Sequence, residues 1–204
     1  QTLGQTPQGS LVMEYLENYT VLADPPSMQS CSRDVYNNNN KLDDPDDDTK
    51  TTTSTTTTTM RNSAIIRGWD FVTAEHVVTV LLETLVTLHQ AGLTHGDLYG
   101  HNLLVTSSSS HEDDNTNTTT TTSTSTSKVR IKLSDFGAAY AYDRTAPYAP
   151  YVEAAEVRAL GVLVQEINEH VVQQPSILLD KLVQACNTTT TTTQTFDHVW
   201  IAWR

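Results

Sequence analysis

Two short stretches of the chain carry carboxylate and amide side chains at a spacing that could support phosphate chemistry. The first, residues 95–102, contains Asp97 and Asn102, and the second is Asp135-Phe136-Gly137. A phosphoryl transfer must position a nucleophile and neutralise phosphate charge, and its metal ions prefer carboxylate and amide oxygens. Asp97 and Asn102 alone are typical of a loop with turn-forming side chains. Their combination with Asp135 instead favours a phosphate-handling site.

A stripe of apolar residues at helical spacing precedes the first stretch. Thr73 is a candidate N-cap and Gly92 a stop signal, so the pattern predicts a helix over residues 73–90. Residues 153–172 are predicted to form a buried central helix, and residues 176–186 a third helix. The apolar stripes of the three helices consist of Val77, Leu81, Leu85 and Leu88, of Val157, Leu160, Val164 and Ile167, and of Leu179, Leu182 and Cys186.

Short apolar runs predict the strands around the two stretches. Residues 103–105 and 129–133 are expected to pair as a hairpin whose tip is overgrown by a polar insertion. Residues 11–16 are expected to form a strand that leads into a polar loop. Both polar stretches would therefore lie at one end of a hairpin.

Three tracts contain almost nothing but Thr, Ser, Asn and Asp: residues 37–59, 106–127 and 187–193. Such sequences cannot bury enough apolar area to offset the entropy of ordering, so we predict that they are disordered insertions in surface loops. The rest of the chain is enough for one modest domain.

Composition restricts the classes of partner. The chain has 12 Lys and Arg against 24 Asp and Glu, and half of its net charge of -12 lies in the first two tracts. Nucleic-acid binding needs clustered basic residues, and a membrane helix needs about 18 apolar residues, so neither is expected. Cys31 and Cys186 cannot form a disulfide framework, which favours packed thiols in a reducing, cytoplasmic compartment. The chain opens at Gln1 with no visible signal peptide.

The order and spacing of the two stretches resemble two motifs of eukaryotic-type protein kinases. His95-Gly96-Asp97-Leu98 with Asn102 is similar to the catalytic loop H-R-D-L-x-x-x-x-N, and Asp135-Phe136-Gly137 to the D-F-G motif. The resemblance implies a mainly α, α+β fold: a protein-kinase-like C-terminal lobe of helices with a small catalytic β-hairpin. Residues 1–204 would form one partial domain of hinge and C-terminal lobe, with the N-terminal lobe mostly absent.

The resemblance also implies roles for individual residues. Asp97 would orient an acceptor hydroxyl and take its proton, and Asn102 would supply an oxygen to one Mg²⁺. Asp135 would bind a second Mg²⁺ across the β- and γ-phosphates of ATP. His95 would be structural and pack near the D-F-G segment, whereas His101 is expected to be exposed.

The adenine site is implied by the first strand of the chain. Met13 would be the gatekeeper, Glu14 and Leu16 would belong to the hinge, and Leu104 would form the floor of the pocket. Residues 156–162 resemble the D-x-W-x-x-G start of the central helix, with Glu156 able to accept hydrogen bonds from the catalytic-loop backbone.

Several departures from the family pattern bear on activity. The glycine-rich loop, the strand lysine and its partner glutamate are absent, and the start at Gln1 favours truncation. Gly96 replaces an Arg that reads an activation-loop phosphate, and Tyr99 stands where Ser/Thr kinases carry Lys. The segment from Asp135 to Glu156 is short and has no A-P-E, and Thr193-Gln194 replaces the Arg that would pair with that missing Glu. Its tyrosines are more typical of packing than of phosphorylation: Tyr140, Tyr142, Tyr148 and Tyr151.

The resulting hypothesis is an ATP-dependent phosphotransferase that moves the γ-phosphate of Mg-ATP to a hydroxyl of a protein or a small molecule. Two alternatives stay open. One is an inactive pseudokinase that serves as a scaffold, and the other is a small-molecule kinase of the aminoglycoside or choline type, which His95-Gly96-Asp97-Leu98 also resembles.

Overall fold

The computed structural model describes residues 2–26, 34–36, 69–108, 128–171, 175–188 and 194–204. The tract predicted at 37–59, most of the two later tracts, and Cys31 lie outside the described residues. Within those ranges the chain is a mixed α+β fold with four α-helices and small antiparallel sheets, in agreement with the α+β class that the sequence predicts.

The helices form the core. They are α1 (Phe71–Gln90), α2 (Ala149–Glu169), α3 (Ile177–Asn187) and α4 (Phe196–Trp203). All three predicted apolar stripes are buried except Leu88, which is half-buried. Helix α2 packs against α3, and α4 covers α1 and α3, so the central position predicted for α2 is confirmed.

Helix α1 begins earlier than the sequence pattern predicts. Its N-cap is Asp70, whose Oδ1 accepts a hydrogen bond of 2.8 Å from the backbone N–H of Thr73. That N–H lowers the pKa of the Asp70 carboxyl, because it stabilises the charged form. The prediction of Thr73 as N-cap is therefore wrong, and the helix end at Gly92 is confirmed by its φ of +70°.

The close contact between α2 and α3 depends on Gly161. A Cβ built at Gly161 would lie 2.6 Å from the Cβ of Cys186, so a larger residue there would push the helices apart. Burial among apolar atoms raises the pKa of the Cys186 thiol to about 12. Cys186 is thus a packed, unreactive thiol, as predicted.

The strands form three separate sheets. Strands β1 (Thr2–Gln5) and β2 (Leu11–Met13) pair with each other, and β4 (Leu93–Thr94) pairs with β7 (Tyr140–Ala141). The third sheet has the order β3-β5-β6, with β3 at Thr20–Val21, β5 at Leu103–Ser108 and β6 at Lys128–Leu133.

The predicted hairpin consists of β5 (Leu103–Ser108) and β6 (Lys128–Leu133). Its pairing runs from Leu103↔Leu133 at one end to Ser108↔Lys128 at the other. The strands are longer than predicted, because residues 106–108 of the supposed insertion continue β5 and Thr106 is buried.

Helix α1 meets the length and composition criteria for crossing a membrane, with a mean hydropathy of 1.5 over its best window. Judged by composition alone, the prediction that no stretch of the chain is apolar enough to form a membrane helix is therefore wrong. The core helices of globular proteins pass the same test, and one face of α1 is buried against the other elements of this fold.

Candidate functional site

The two predicted motifs lie at the same end of the β5–β6 hairpin. Asn102 immediately precedes β5 and closes a 3₁₀ turn, Gly100–Asn102. Asp135 follows β6 by two residues and opens a second 3₁₀ turn, Phe136–Ala138. Because Leu103 pairs with Leu133, the strands bring the two motifs side by side.

Asp97 and Asn102 are in direct contact. The Nδ2 of Asn102 donates hydrogen bonds to the backbone oxygen of Asp97 at 2.8 Å and to its Oδ2 at 3.1 Å. Asn102 is buried, whereas Asp97 is partly exposed. These bonds occupy the amide nitrogen of Asn102, so its Oδ1 is the atom that it can offer to a cation.

Ser134 connects Asn102 to the second motif. Both the backbone N–H and the Oγ of Ser134 donate to the backbone oxygen of Asn102, each at 2.9 Å. Asp135 is the next residue along the chain. Sequence reasoning missed Ser134, although its place between the strand and Asp135 was visible.

Asp135 itself is exposed and has a left-handed backbone conformation, with φ of 56°. Its Oδ1 accepts a hydrogen bond of 3.2 Å from the N–H of Gly137, which caps the following turn. A non-glycine residue pays about 1–2 kcal/mol for this conformation, so the surrounding structure must hold it.

His95 has the structural place predicted for it. Its Nε2 donates to the backbone oxygen of Ser134 at 2.9 Å, and its Nδ1 accepts from the N–H of Asp97 at 3.4 Å. The ring is therefore neutral, with its proton on Nε2. It also meets the ring of Phe136 edge to face at 4.8 Å between centroids, which fixes the two motifs against each other.

Gly96 lies where the two motifs approach most closely. Its φ is +80°, and a Cβ at this position would be 2.4 Å from the backbone oxygen of Ala138. Both observations require glycine. The departure from the kinase pattern at this position therefore has a local cause: an Arg would not fit the observed turn.

Glu156 holds the start of the loop from α2. Its Oε1 accepts hydrogen bonds from the N–H of His95 at 2.9 Å and of Gly96 at 2.7 Å. Its Oε2 lies 2.5 Å from the Nε2 of His89. Burial raises the pKa of the Glu156 carboxyl, but the His89 ring and the backbone N–H groups outweigh it, so the pKa lies below its ordinary value. The predicted role of Glu156 is confirmed.

A buried polar chain continues behind Glu156. The Nδ1 of His89 is 2.8 Å from the hydroxyl of Tyr142, which donates to the Oε1 of Glu153 at 3.1 Å. Burial and the negative charge of Glu153 raise the pKa of Tyr142. Sequence reasoning did not single out His89, which is buried and links α1 to the loop.

Of the four tyrosines after the D-F-G motif, the packing prediction holds for Tyr142 alone. Tyr140, Tyr148 and Tyr151 are exposed.

The other end of the loop is held by Asp34, which sequence reasoning did not single out. Its Oδ2 accepts from the N–H of Gly100, and its Oδ1 lies beside the Nδ1 of His101, both at 2.6 Å. The prediction that His101 is exposed is wrong, because this contact leaves the side chain only 22% accessible. No pattern near Asp34 pointed to the loop.

The predicted adenine-binding residues are more dispersed. Leu104 is half-buried on β5 beside the loop and pairs with Val21 of β3. Met13 and Glu14 are exposed and Leu16 is half-buried, at the end of a hairpin that forms its own sheet. The structure thus brings Asp97, Asn102 and Asp135 to one end of β5–β6, while Met13 lies in a different sheet from Leu104.

The donors available to a metal are an amide oxygen and a carboxylate. No cluster of three or more His, Cys, Asp or Glu residues suited to a metal ion occurs within the described ranges. Asn102 and Asp135 nevertheless fit Mg²⁺, which is bound through one or two protein oxygens when phosphate and water complete its shell.

No protein-family model matches the sequence, and no curated protein is significantly similar to it.

Proposed function

We propose that the chain is the hinge and C-terminal lobe of a protein-kinase-like, ATP-dependent phosphotransferase. The observation that supports this most directly is the hydrogen-bonded connection from Asp97 through Asn102 and Ser134 to Asp135. It places a partly exposed carboxylate, an amide oxygen and an exposed carboxylate around one hairpin end. Those are the groups that phosphoryl transfer from a metal-bound nucleotide requires.

In this proposal Asp97 orients the acceptor hydroxyl and takes its proton. The hydroxyl oxygen forms a bond to the γ-phosphorus of ATP as the bond from that phosphorus to the β-γ bridging oxygen breaks, so ADP leaves. Asn102, through Oδ1, and Asp135 hold Mg²⁺, which neutralises phosphate charge when bound. Leu104 would face the adenine, and Met13, Glu14 and Leu16 would form the hinge.

Asp97 is suited to act as a base because one of its oxygens is already occupied. Its Oδ2 accepts from Asn102, and this bond restricts rotation of the carboxylate. A base held in this way keeps its free oxygen directed at one acceptor position, which is how positioning lowers the barrier.

The acceptor could also be a small molecule, and Gly96 favours this second candidate. The turn at Gly96 excludes an Arg that would read a phosphate on an activation loop. A site without an Arg that binds an activation-loop phosphate is not switched by phosphorylation of that loop. It suits a kinase whose active site is completed by binding of the substrate. In either form we propose an intracellular enzyme without nucleic-acid or membrane partners.

The test is transfer of the γ-phosphate from Mg-ATP by the intact protein and by Asp97→Asn. Autophosphorylation, a generic protein acceptor, and aminoglycoside and choline acceptors are monitored in parallel. We expect Asp97→Asn to reduce transfer by about 10²–10⁴-fold, because the base is lost.

Asp143→Asn is the matched control. Asp143 is an exposed aspartate that caps its own turn through Thr145, so its variant should transfer at the wild-type rate. Equal rates of phosphate transfer by wild type and Asp97→Asn would contradict the assignment of Asp97 as the base. Mg-ATP binding without transfer to any acceptor would instead support the scaffold alternative.

A further inference from the structure

A three-residue segment, residues 34–36, lies against the turn that carries Asn102. Asp34 contributes both carboxylate oxygens to this turn, one to the N–H of Gly100 and one to the ring of His101, each at 2.6 Å. The Asp34 side chain has no accessible surface. Two short contacts to a buried carboxylate fix the turn far more tightly than solvent could.

Gly100 lies against residues 34–36, and its lack of a side chain makes this contact possible. A Cβ at Gly100 would lie 2.6 Å from the hydroxyl of Tyr36, 3.0 Å from Oδ2 of Asp34 and 3.1 Å from the Cβ of Ala23. The backbone of the turn and the segment therefore meet at a distance that a side chain on residue 100 would prevent. The glycine is explained by this contact, since its φ is not in the left-handed region.

The segment has anchors of its own outside the loop. Val35 exchanges two backbone hydrogen bonds with Asp24, at 2.9 and 3.0 Å. The hydroxyl of Tyr36 donates to Glu166 on α2 at 3.3 Å, and its ring stacks on His170 at 4.4 Å between centroids. Asp34 is thus held in place by the backbone of Asp24 and by α2 as well as by the turn.

We propose that Asp34 is a positioning residue for the metal-binding oxygen of Asn102. It fixes the turn Gly100–Asn102 from outside, so that Oδ1 of Asn102 keeps one position relative to Asp97 and Asp135. This inference rests on the proposed function, and it assigns Asp34 a role that acts through Asn102. Residues that orient metal ligands typically change metal affinity 10–100-fold when they are removed.

The distinguishing consequence is a change in metal requirement. Without Asp34 the Asn102 oxygen samples more positions, so more Mg²⁺ is needed to complete the site. The base, Asp97, is bonded to Asn102 on the other side, so the rate at saturating Mg²⁺ should change less than the Mg²⁺ concentration for half-maximal rate. Removal of a residue with a purely structural role would lower the amount of active protein without changing the Mg²⁺ concentration for half-maximal rate.

The test compares Asp34→Ala with Asp34→Asn in the intact protein. Asp34→Ala removes both bonds, and we expect its half-saturating Mg²⁺ concentration to rise about 10-fold or more. Asp34→Asn keeps an acceptor for the N–H of Gly100 and a polar atom beside the Nδ1 of His101, and it should restore the value to within about threefold of wild type. Asp143→Asn is the control, because Asp143 caps an exposed turn outside the loop through Thr145 and its variant should leave the value unchanged.

An unchanged half-saturating Mg²⁺ concentration in folded Asp34→Ala would overturn the proposal. If Asp34→Ala does not fold, His101→Ala removes one of the two contacts and should raise the value about threefold, and no rise would have the same meaning.

Mn²⁺ binding followed by electron paramagnetic resonance separates this inference from the proposed function. Wild type that binds Mn²⁺ but transfers no phosphate would contradict the phosphotransferase alone, and weaker binding by Asp34→Ala would still support the positioning role. Wild type that binds no Mn²⁺ would overturn both.

Discussion

The loop from His95 to Asn102 is held by one buried carboxylate at each end, and the two carboxylates come from very different parts of the fold. Glu156 lies inside the central helix α2 and accepts from the N–H groups of His95 and Gly96. Asp34 lies in a three-residue segment and accepts from the N–H of Gly100. Asp97 sits between the two supports.

The two carboxylates are held in the fold in different ways. Glu156 cannot move without disturbing α2 and His89, so the first half of the loop is as rigid as the core. Asp34 is held less directly, because Val35 bonds the backbone of Asp24 and Tyr36 contacts Glu166 and His170. The half of the loop that carries Asn102 is therefore tied to the fold through other contacts than the half that begins at His95.

The largest expected effect is on the Glu156 side. Glu156→Ala would leave the N–H groups of His95 and Gly96 and the buried ring of His89 without their acceptor, at a cost of about 3–5 kcal/mol in the free energy of unfolding. Urea denaturation measures this value. Glu169→Ala, at the exposed end of the same helix, is the control and should change it by no more than about 0.5 kcal/mol. Similar losses for the two variants would contradict the rigid support.

A smaller effect is expected to distinguish Gly96 from Gly100, the glycines near the two ends of the loop. Gly96→Ala places a Cβ against the backbone oxygen of Ala138 in a left-handed conformation, and the strain alone costs about 1–2 kcal/mol. Gly100→Ala meets the side-chain ends of Tyr36 and Asp34 and the Cβ of Ala23, but residue 100 has no left-handed φ, so the backbone strain is absent. Thermal unfolding should therefore show a larger drop in Tm for Gly96→Ala. The reverse order would mean that the segment 34–36 is the more rigid support.

The smallest effect is the acid dependence of the Glu156 contacts. Its folded-state pKa is below the ordinary value of 4.5, so its contribution is fully present above that pH and is lost as the pH falls through the folded-state pKa. The difference in free energy of unfolding between wild type and Glu156→Gln should be constant above about pH 5 and shrink below 4.5. A difference that grew on acidification would contradict the lowered pKa.

The sequence alone was sufficient for the elements with strong periodicity. Val157, Leu160 and Val164 repeat at helical spacing and are buried in α2, and the same helix delivers Glu156 to the loop as predicted. The pairing of β5 with β6 followed from two short apolar runs.

Predictions failed where the contact that determines the structure leaves no pattern in the neighbouring sequence. Phe71 and Val72 are exposed at the start of α1, so apolar spacing did not reveal that the helix already begins after Asp70. Asp34 bonds a residue 66 positions away, and an isolated aspartate in a polar stretch is usually solvated. Thr106 continues β5 because its backbone pairs with Arg130, which composition cannot show.

The β5–β6 hairpin also separates the site from the insertion at its tip. The strands are joined by six residue pairs, with Asn102 and Ser134 flanking one end and Ser108 and Lys128 closing the other. At about 3.4 Å per residue, roughly 17 Å of paired strand lies between the two ends. A label attached at this second end of the hairpin, at Ser108 or Lys128, would consequently lie far from the loop that carries Asp97.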